Sequence, residues 1–303
     1  MVPVVVDVGP RDGLQDEAMV LDPAMRAEYI NRLSSAGFER IEITSFVNPA
    51  RVPQMANAEA VISKLTKKSL SGASALVLNE RGLERAVLAG IREINYVAVV
   101  TDTFSLKNQG FDTDSSLSRW NTIRNQCEAD NIKNTLTLAA AFGCPFEGEV
   151  SNSYLHSLLL RVADFPPDEI CVADTIGAAV PTDVIRVLNL VQEVLPAVRT
   201  RLHCHNTRNS GMANAYAAVV WGVGSLDSST GGLGGCPFSN STTGNIPSED
   251  LIYMLERMGY DTGIRLSEVI DTASWVCGEL NRVPDGMVVS AGQFPPGYDA
   301  TNE

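Results

Sequence analysis

The chain has 303 residues and a mass of 32.5 kDa, which suits one large domain or two small ones with a sizeable core. Hydrophobic residues make up 45% and charged residues 19%, a balance that is typical of a globular protein and excludes a disordered chain. Its 36 acidic and 23 basic residues give a net charge of −13, which argues against binding of nucleic acid or of an anionic membrane. An anionic ligand would therefore need a local pocket.

The six cysteines form no C-x-x-C pair and no dense framework. This pattern suits a reducing compartment better than a disulfide scaffold or a thiolate zinc site. The N-terminal apolar run has no basic region before it and is interrupted at Asp7, so it predicts a first strand rather than a signal or transit peptide. No apolar stretch reaches the about 18 residues that cross a bilayer. We expect a cytoplasmic protein without a membrane segment.

Short apolar runs alternate with segments of helical periodicity about eight times along the chain. The predicted strands are 4–8, 40–46, 73–78, 94–100, 135–141, 169–174, 201–205 and 225–229. The predicted helices that follow them are 22–36, 54–67, 83–89, 116–131, 151–164, 181–195, 212–221 and 248–258. One additional amphipathic helix is predicted at 267–281.

The strand runs are continuously apolar, which indicates a parallel sheet that is covered on both faces. Eight such units within about 260 residues match a (β/α)8 TIM barrel. An open doubly wound sheet is the competing arrangement, but it expects a G-x-G-x-x-G turn after the first strand, which GPRDG at 9–13 does not provide. We predict one barrel domain, 1–282, and a Pro/Gly-rich C-terminal tail, 283–303.

Polar residues gather at the predicted strand ends, where the active site of such a barrel lies. They are Arg11 and Asp12 after the first strand, Glu42 in the second, Asp174 and Thr175 at the sixth, and His203 and His205 at the seventh. Because residues two apart on a strand face the same side, both histidines can point into the barrel while Cys204 faces the helices.

Two histidines, an aspartate and a side-chain amide oxygen form a plausible mixed nitrogen and oxygen site for Mg²⁺, Mn²⁺ or Co²⁺, with Zn²⁺ also compatible. The alternative is that both histidines are core residues paired with neighbouring carboxylates, since H-x-H alone is a weak motif. The chain has only 3 histidines, and two of them lie at this strand end, which favours a metal. The third, His156, is expected on the surface of a helix.

A glycine-rich segment, 230–245, follows the eighth strand and predicts a mobile active-site loop or a phosphate cradle. It lacks the G-K-[ST] of a P-loop, so nucleotide binding is weakly supported. Cys236 in this segment is a candidate acid, base or nucleophile, and the alternative is a small apolar residue at a turn. The same Gly-Cys-Pro-Phe sequence surrounds Cys144, so this tetrapeptide alone does not identify a catalytic thiol.

Taken together, these motifs resemble hydroxymethylglutaryl-CoA lyase, a family of the DRE-TIM metallolyases that make or break carbon–carbon bonds through enolates. The resemblance extends from about residue 4 to 282, and the segments that carry it are 8–15, 41–47, 174–177, 203–205, 231–245 and 249–255. It implies a divalent cation, usually Mg²⁺ or Mn²⁺, with four ligands: Asp12, His203, His205 and Asn245.

The resemblance also implies roles for neighbouring residues. Arg11 would face the thioester carbonyl, Glu42 would steady Arg11, Cys236 would donate a proton from the loop, and Asp174 would be a further polar residue of the site. The expected substrate contacts are Gln15, Thr175 and Arg208. The family reaction cleaves 3-hydroxy-3-methylglutaryl-CoA into acetyl-CoA and acetoacetate, and members are commonly dimers. We therefore expect an acyl-CoA thioester and a second copy of the chain as partners.

Several positions depart from the family pattern. Asn206, Thr207, Arg208 and Asn209 replace Asp-Thr-Tyr-Gly after the second histidine, and Thr135 stands where the fifth strand usually has an arginine. Cys171 replaces a serine and Ala18 a basic residue. None of these is an expected metal ligand, but several lie where the substrate acid or acyl chain would be recognised. We hypothesise a shifted substrate, with Arg208 as a replacement cation for a carboxylate.

Three functions follow. The leading one is a metal-dependent 3-hydroxyacyl-CoA lyase, with hydroxymethylglutaryl-CoA as the first substrate and a related branched 3-hydroxy-3-carboxyalkyl acyl-CoA as the next. The second is a condensing synthase of the same superfamily that joins acetyl-CoA to a 2-oxo acid, although such synthases often carry a regulatory domain for which the residues after 282 leave no room. The third is a ligand-binding barrel without catalysis, which the retained Arg11, Asp12 and Glu42 argue against.

Overall fold

The computed structural model describes residues 2–235 and 244–294. Within them, eight parallel strands form a closed barrel in which each strand pairs with the next and the last pairs with the first. This arrangement confirms the predicted (β/α)8 TIM barrel. The strands are β1 (Val4–Asp7), β2 (Arg40–Ser45), β3 (Ala73–Val77), β4 (Glu93–Val99), β5 (Lys133–Ala139), β6 (Glu169–Asp174), β7 (Arg199–Cys204) and β8 (Ser225–Ser228).

Helices surround the barrel, so the strands are buried on both faces, as their continuous apolar runs predict. None of the helices in the described ranges is long and apolar enough to cross a membrane. The helices are α1 (Pro23–Ala36), α2 (Ala58–Ile62), α3 (Lys67–Ser71), α4 (Glu80–Leu88), α5 (Asp102–Gln109), α6 (Thr113–Asp130), α7 (Asn152–Ala163), α8 (Pro181–Val194), α9 (Gly211–Trp221), α10 (Ser248–Arg257), α11 (Leu266–Glu279) and α12 (Met287–Ala291).

The helix predicted at 54–67 is wrong as a continuous element. A short 3-10 turn, Pro53–Met55, comes first, and α2 and α3 follow as separate helices. Asn57 before α2 has a φ of 59°, in the left-handed region where a helix cannot continue. Thr66 then starts α3, because its side-chain oxygen accepts a hydrogen bond from the Ser69 amide at 3.1 Å.

Helix α5 was not predicted from the sequence. Phe104 and Ser105 are its buried residues, so it shows no apolar periodicity. It ends at Gly110, whose φ of 87° is the left-handed conformation that commonly terminates helices. Helix α6 then begins at Thr113, three residues before the predicted start at 116.

The predicted additional helix is confirmed as α11, which packs along α1. The rings of Tyr29 and Trp275 lie 6.4 Å apart, and the Arg32 guanidinium lies 4.5 Å from the Trp275 ring centre. Helix α12 lies inside the segment predicted as a tail. The domain boundary at 282 stays a prediction.

An ion-pair network closes the N-terminal end of the barrel. Arg40, at the start of β2, donates to Glu93 at 2.5 and 3.0 Å, to Glu169 at 2.7 and 3.0 Å, and to Ser225 Oγ at 3.2 Å. Thr135 on β5 also donates to Glu169, at 3.3 Å. Charged side chains from β2, β4 and β6 and hydroxyl groups from β5 and β8 thus meet at this end of the barrel.

A second buried polar cluster holds both ends of the glycine-rich segment. Asp7 accepts hydrogen bonds from Thr230 Oγ1 at 2.5 Å and from Ser248 Oγ at 2.7 Å. Glu249 accepts one from the Gly231 amide at 3.0 Å. Burial raises the pKa of Asp7 to about 6 and that of Glu249 to about 8. The residues that flank the glycine-rich segment are therefore held by two carboxyl groups whose pKa values are raised.

Candidate active site

A π-helical turn, Gly9–Gly13, follows β1 and presents Asp12 at the C-terminal end of the barrel. The Gly9 amide donates to Asp7 Oδ1 at 2.8 Å, so the turn is tied to the end of the strand. A Cβ atom on Gly9 would lie 2.2 Å from the Tyr29 hydroxyl oxygen. A side chain at this position would therefore displace the turn and the residues it carries.

Arg11, on the same turn, is buried and has two carboxylate partners. Its Nε pairs with Glu42 and its Nη1 with Asp12. The other Glu42 oxygen accepts from Asn95 Nδ2 at 2.9 Å, and Asn95 Oδ1 accepts from Thr137 Oγ1 at 2.8 Å. Burial opposes the charge of Arg11, but the attraction of Glu42 and Asp12 outweighs it and raises the pKa of Arg11. The guanidinium is thus charged, and its orientation is fixed by Asp12 on the same turn and by a chain of side chains from β2, β4 and β5.

The two histidines at the end of β7 face the same side, as their spacing predicts. Their rings lie 5.0 Å apart, and the Nε2 atom of each is 3.9 Å from Asp12 Oδ2. The nearest ligand atoms of Asp12, His203 and His205 all lie within 4.8 Å of one another. Cys204 between the two histidines is buried on the other side of the strand. The structure therefore brings three of the four predicted metal ligands together.

Asn245 completes the group. Its Nδ2 donates to Asp12 Oδ2 at 2.9 Å and to the Leu233 carbonyl oxygen at 3.1 Å, and its backbone forms a bridge with His205. Gly234 makes room for it, because a Cβ atom there would lie 2.5 Å from Asn245 Nδ2. The glycine at this position is therefore part of the cradle that holds the amide.

Two buried atoms of this group lack hydrogen-bond partners among the described residues: Asn245 Oδ1 and His205 Nδ1. A buried polar atom without a partner is costly, so such atoms commonly await a ligand. Two imidazoles, a carboxylate and an amide oxygen are also the donors that Mg²⁺, Mn²⁺, Co²⁺ or Zn²⁺ accepts. The residues therefore fit a divalent cation.

The protonation states agree with this fit. Burial would raise the pKa of Asp12, but Arg11 and the two histidines outweigh it and lower that pKa well below its usual range. Burial and the charge of His203 lower the pKa of His205 to about 3. Burial would also lower the pKa of His203, but its hydrogen bond to Asp227 and the charge of Asp12 raise it. Asp12 is thus a carboxylate and His205 a neutral imidazole, as metal ligands must be.

Asp227 on β8 was missed from the sequence. Its Oδ2 lies 3.0 Å from His203 Nδ1, on the side of the ring away from Asp12. A carboxylate that holds the second nitrogen of a metal-binding histidine is a common feature of metal sites. The sequence did offer one indication, because Asp227 is the one charged residue in the apolar and hydroxyl-bearing strand 225–228.

A cavity of about 590 Å³ opens at this end of the barrel, and its lining includes Arg11, Asp12 and both histidines. This volume is typical of small-molecule sites. The exposed part of the lining carries three cations, and they come from the loop after β2, from α5 and from α6: Arg51, Lys107 and Arg119. Among the described residues, Asp16 is the acidic one in the exposed part of this lining, so cations outnumber anions there by three to one in a protein of net charge −13.

The remaining predicted residues occupy different places. Gln15 and Thr175 line the cavity. The carboxylate of Asp174 accepts hydrogen bonds from two backbone amides, at 2.8 and 3.0 Å. Arg208 is exposed and donates to the Ile176 carbonyl oxygen at 2.7 Å. Cys236 lies outside the described residues, so its role stays a prediction.

Two of the departures lie within the barrel. Thr135 contacts Glu169 rather than the cavity. Cys171 is fully buried, and burial raises the pKa of its thiol far above the usual value. The third histidine, His156, is half-buried with its Nε2 3.9 Å from Glu193, which agrees with the expected surface position.

Residues 3–276 match the HMGL-like family. This chain belongs to that family. The match confirms the resemblance to hydroxymethylglutaryl-CoA lyase and places the chain among the DRE-TIM metallolyases. Members of the HMGL-like family depend on a divalent metal, and the group formed by Asp12, His203 and His205 is a possible site for it.

Individual HMGL-like relatives cover nearly the whole chain. The (R)-citramalyl-CoA lyase of Chloroflexus aurantiacus is 41% identical over 302 residues, which cover 96% of this chain and 95% of the relative. The human mitochondrial hydroxymethylglutaryl-CoA lyase is 34% identical over 287 residues, which cover 95% of this chain and 88% of the relative.

Solved structures agree with the sequence relatives. The hydroxymethylglutaryl-CoA lyase of Bacillus subtilis has a TM-score of 0.91 and 34% identity, covering 96% of this chain and 97% of that one. That of Acinetobacter baumannii, solved with coenzyme A and 3-methylmalate, has a TM-score of 0.90 and 34% identity, covering 98% and 97%. This HMGL-like protein is therefore an enzyme, a lyase of CoA esters.

Proposed function

We propose that the protein is a divalent-metal-dependent lyase that cleaves a 3-hydroxy-3-carboxyalkyl acyl-CoA between C2 and C3 by retro-Claisen chemistry. The observation that carries this proposal is the convergence of Asp12, His203 and His205 beside the buried Arg11 in one cavity. A CoA thioester suits that cavity, because its exposed lining holds cations for the phosphates of CoA.

The acyl group that we propose first is (R)-citramalyl, and the second is 3-hydroxy-3-methylglutaryl. In the described lining, Arg11 is the one arginine or lysine in the buried part of the cavity. A carboxylate far from the reacting hydroxyl would therefore have no separate cation, which favours an acyl group whose carboxylate is bonded to the carbinol carbon. The 41% identity to a citramalyl-CoA lyase supports the same choice.

Chemistry at the site divides among the chain's own residues. A divalent cation held by Asp12, His203, His205 and Asn245 would lower the pKa of the substrate hydroxyl and orient it with the carboxylate. When the C2–C3 bond breaks, its electron pair passes into the enolate of the thioester. Arg11, fixed by Glu42, can stabilise that negative charge because its guanidinium is already oriented and charged.

The second half of the reaction returns a proton to carbon. The hydroxyl gives up one proton and C2 of the enolate takes up one, so none is consumed overall. Cys236 is proposed as the donor to C2, acting from the glycine-rich segment. Citramalyl-CoA would yield acetyl-CoA and pyruvate, and 3-hydroxy-3-methylglutaryl-CoA would yield acetyl-CoA and acetoacetate.

The test starts from metal-stripped protein supplied with Mn²⁺ and either thioester, with acetyl-CoA and the released oxo acid measured separately. We expect pyruvate release from (R)-citramalyl-CoA, faster than acetoacetate release from the longer substrate, and no release with EDTA. Cleavage of neither thioester, or cleavage that EDTA leaves unchanged, contradicts the proposal. Release of free CoA from acetyl-CoA and pyruvate, with a hydroxy diacid as the other product, would indicate the condensing synthase instead.

We also propose a homodimer, as the family resemblance implies. Sedimentation of the purified chain should then give about twice the mass of 32.5 kDa. A monomer across the micromolar range would contradict this part of the proposal without affecting the lyase assignment.

A further inference from the structure

Strand β7 carries a third inward-facing residue that the proposed chemistry does not use. Arg201 precedes His203 by two positions and His205 by four, so all three side chains point into the barrel. Its side chain is 1% exposed. A buried guanidinium is expensive unless nearby groups compensate its charge, so its partners indicate what it does.

The closest partner of Arg201 is Asp227. Arg201 Nε donates to Asp227 Oδ1 at 2.5 Å, and the other oxygen of the same carboxylate, Oδ2, lies 3.0 Å from His203 Nδ1. A carboxylate only accepts hydrogen bonds, so His203 must carry its proton on Nδ1. Its Nε2, 3.9 Å from Asp12 Oδ2, is then the nitrogen that is free to bind a metal.

The other carboxylates near Arg201 are more distant, and each of them also pairs with a second arginine. Its Nη2 is 3.8 Å from Glu42 and its Nη1 is 3.8 Å from Glu169. Glu42 is also held by Arg11 and Asn95, and Glu169 by Arg40. Among the described residues, Asp227 is different, because its two oxygens are taken by Arg201 and His203. Removal of Arg201 would therefore disturb mainly Asp227 and, through it, His203.

We propose that Arg201 is a positioning residue that holds Asp227 so that His203 presents Nε2 to the metal site. The proposal rests on the proposed function, because it requires that His203 binds the cation. It assigns to Arg201 an influence on metal affinity through one intermediate carboxylate, without contact to substrate or cation.

The test compares Arg201→Met, which keeps the bulk of the side chain and removes its charge, with Arg40→Met. Arg40 belongs to the same network through Glu169, but the described contacts of Arg40 do not include Asp227 or His203. Mn²⁺ dissociation constants are measured on the metal-stripped proteins by electron paramagnetic resonance. We expect binding to weaken by about 10- to 100-fold in R201M and by less than about twofold in R40M. Unchanged affinity in folded R201M, or an equal loss in R40M, overturns the proposal.

A second measurement does not depend on the metal. The chain has 3 histidines, so selective ¹⁵N-histidine labelling gives a spectrum that can be assigned by substitution. We expect a protected, hydrogen-bonded Nδ1 proton on His203 in the wild type and its loss in R201M. A signal that persists in R201M overturns the positioning role. If the wild type shows this proton but does not bind Mn²⁺, the proposed function fails and the positioning of the ring stands.

Two further variants keep the test valid if R201M does not fold. Arg201→Lys retains a positive charge beside Asp227 without the guanidinium fork, so Mn²⁺ affinity should lie between those of the wild type and D227N. Because Arg201 acts through Asp227, the double variant R201K/D227N should bind Mn²⁺ no more weakly than D227N alone. Additive losses would show that Arg201 acts by another route and would overturn the proposal.

Discussion

Both ends of the barrel interior hold buried charged groups, but they satisfy those groups differently. At the N-terminal end, Arg40 is surrounded by Glu93, Glu169 and Ser225 in direct hydrogen bonds. At the C-terminal end, Asn245 Oδ1 and His205 Nδ1 are buried without partners among the described residues. Arg40 finds its hydrogen-bond partners within the folded chain, whereas the two atoms at the C-terminal end do not. This difference separates a residue that stabilises the barrel from residues that are available to a ligand.

Among substitutions that test this difference between the two ends, we expect Asp12→Ala to have the largest effect on metal binding and turnover. The variant removes the carboxylate that lies near both histidines and also one of the two carboxylate partners of Arg11. We expect Mn²⁺ affinity to fall by at least about 100-fold and kcat by at least about 1000-fold, while the unfolding midpoint changes little. The matched control is His156→Ala on the outside of α7, which should change neither quantity. Retained Mn²⁺ affinity in D12A would remove this residue from the metal site.

Arg11→Met should have the next largest effect. The guanidinium is oriented for charge that appears only during bond cleavage, so its loss should lower kcat by about 100- to 1000-fold with a smaller change in KM. Steady-state kinetics on the preferred thioester measure this, and Mn²⁺ titration of the same protein should show a much smaller loss than D12A. A change confined to KM would indicate that Arg11 only binds the substrate.

Arg40→Met tests the opposite end of the barrel. Removal of the cation leaves Glu93 and Glu169 facing each other without their shared partner, so the free energy of unfolding should fall by about 2 kcal/mol or more. Urea unfolding at neutral pH provides the measurement. Turnover per folded molecule should be unchanged, and a loss of turnover without loss of stability would contradict the division between the two ends.

The smallest effect concerns Glu249, at the base of the glycine-rich segment. Its pKa is raised from 4.5 to about 8, chiefly by burial, so the folded state keeps a proton that the unfolded chain loses between these values. Stability from this group is therefore fully present below pH 4.5 and is lost as the pH rises to 8. Glu249→Gln cannot ionise, and it can still accept the hydrogen bond from the Gly231 amide.

We therefore expect E249Q to exceed the wild type in unfolding free energy at pH 8, with the difference shrinking as the pH falls toward 4.5. Urea unfolding across this range measures it. Parallel stability curves for the two proteins would show that Glu249 ionises normally.

The sequence predicted the elements that depend on local pattern. Continuous apolar strands that alternate with helices were sufficient for the barrel, and H-x-H at a strand end was sufficient to bring His203 and His205 to one side. The helix at 54–67 was wrong because Asn57 adopts a left-handed conformation that no apolar pattern reveals. Helix α5 was missed because most of its residues are not buried, which leaves no periodicity to detect.

The supporting residues of the site depend on register between strands, which the sequence does not provide. Arg201 pairs in register with Ser225, and this pairing brings its side chain within reach of Asp227, two residues further along β8. A shift of one residue would send Asp227 to the other face of the strand. Asn95 likewise meets Glu42 only because the alternate strands β2 and β4, on either side of β3, place these side chains at the same level inside the barrel.

Two of the four proposed ligands come from the two strands where the barrel closes on itself. Asp12 follows the first strand and Asn245 follows the eighth, 233 residues later, and those strands pair directly. A ribosome must therefore have released almost the entire chain before this coordination sphere can exist. A chain that lacks the region around Asn245, or in which the barrel has not closed, would hold only some of the proposed ligands. Tight metal binding would therefore occur only after the barrel has closed.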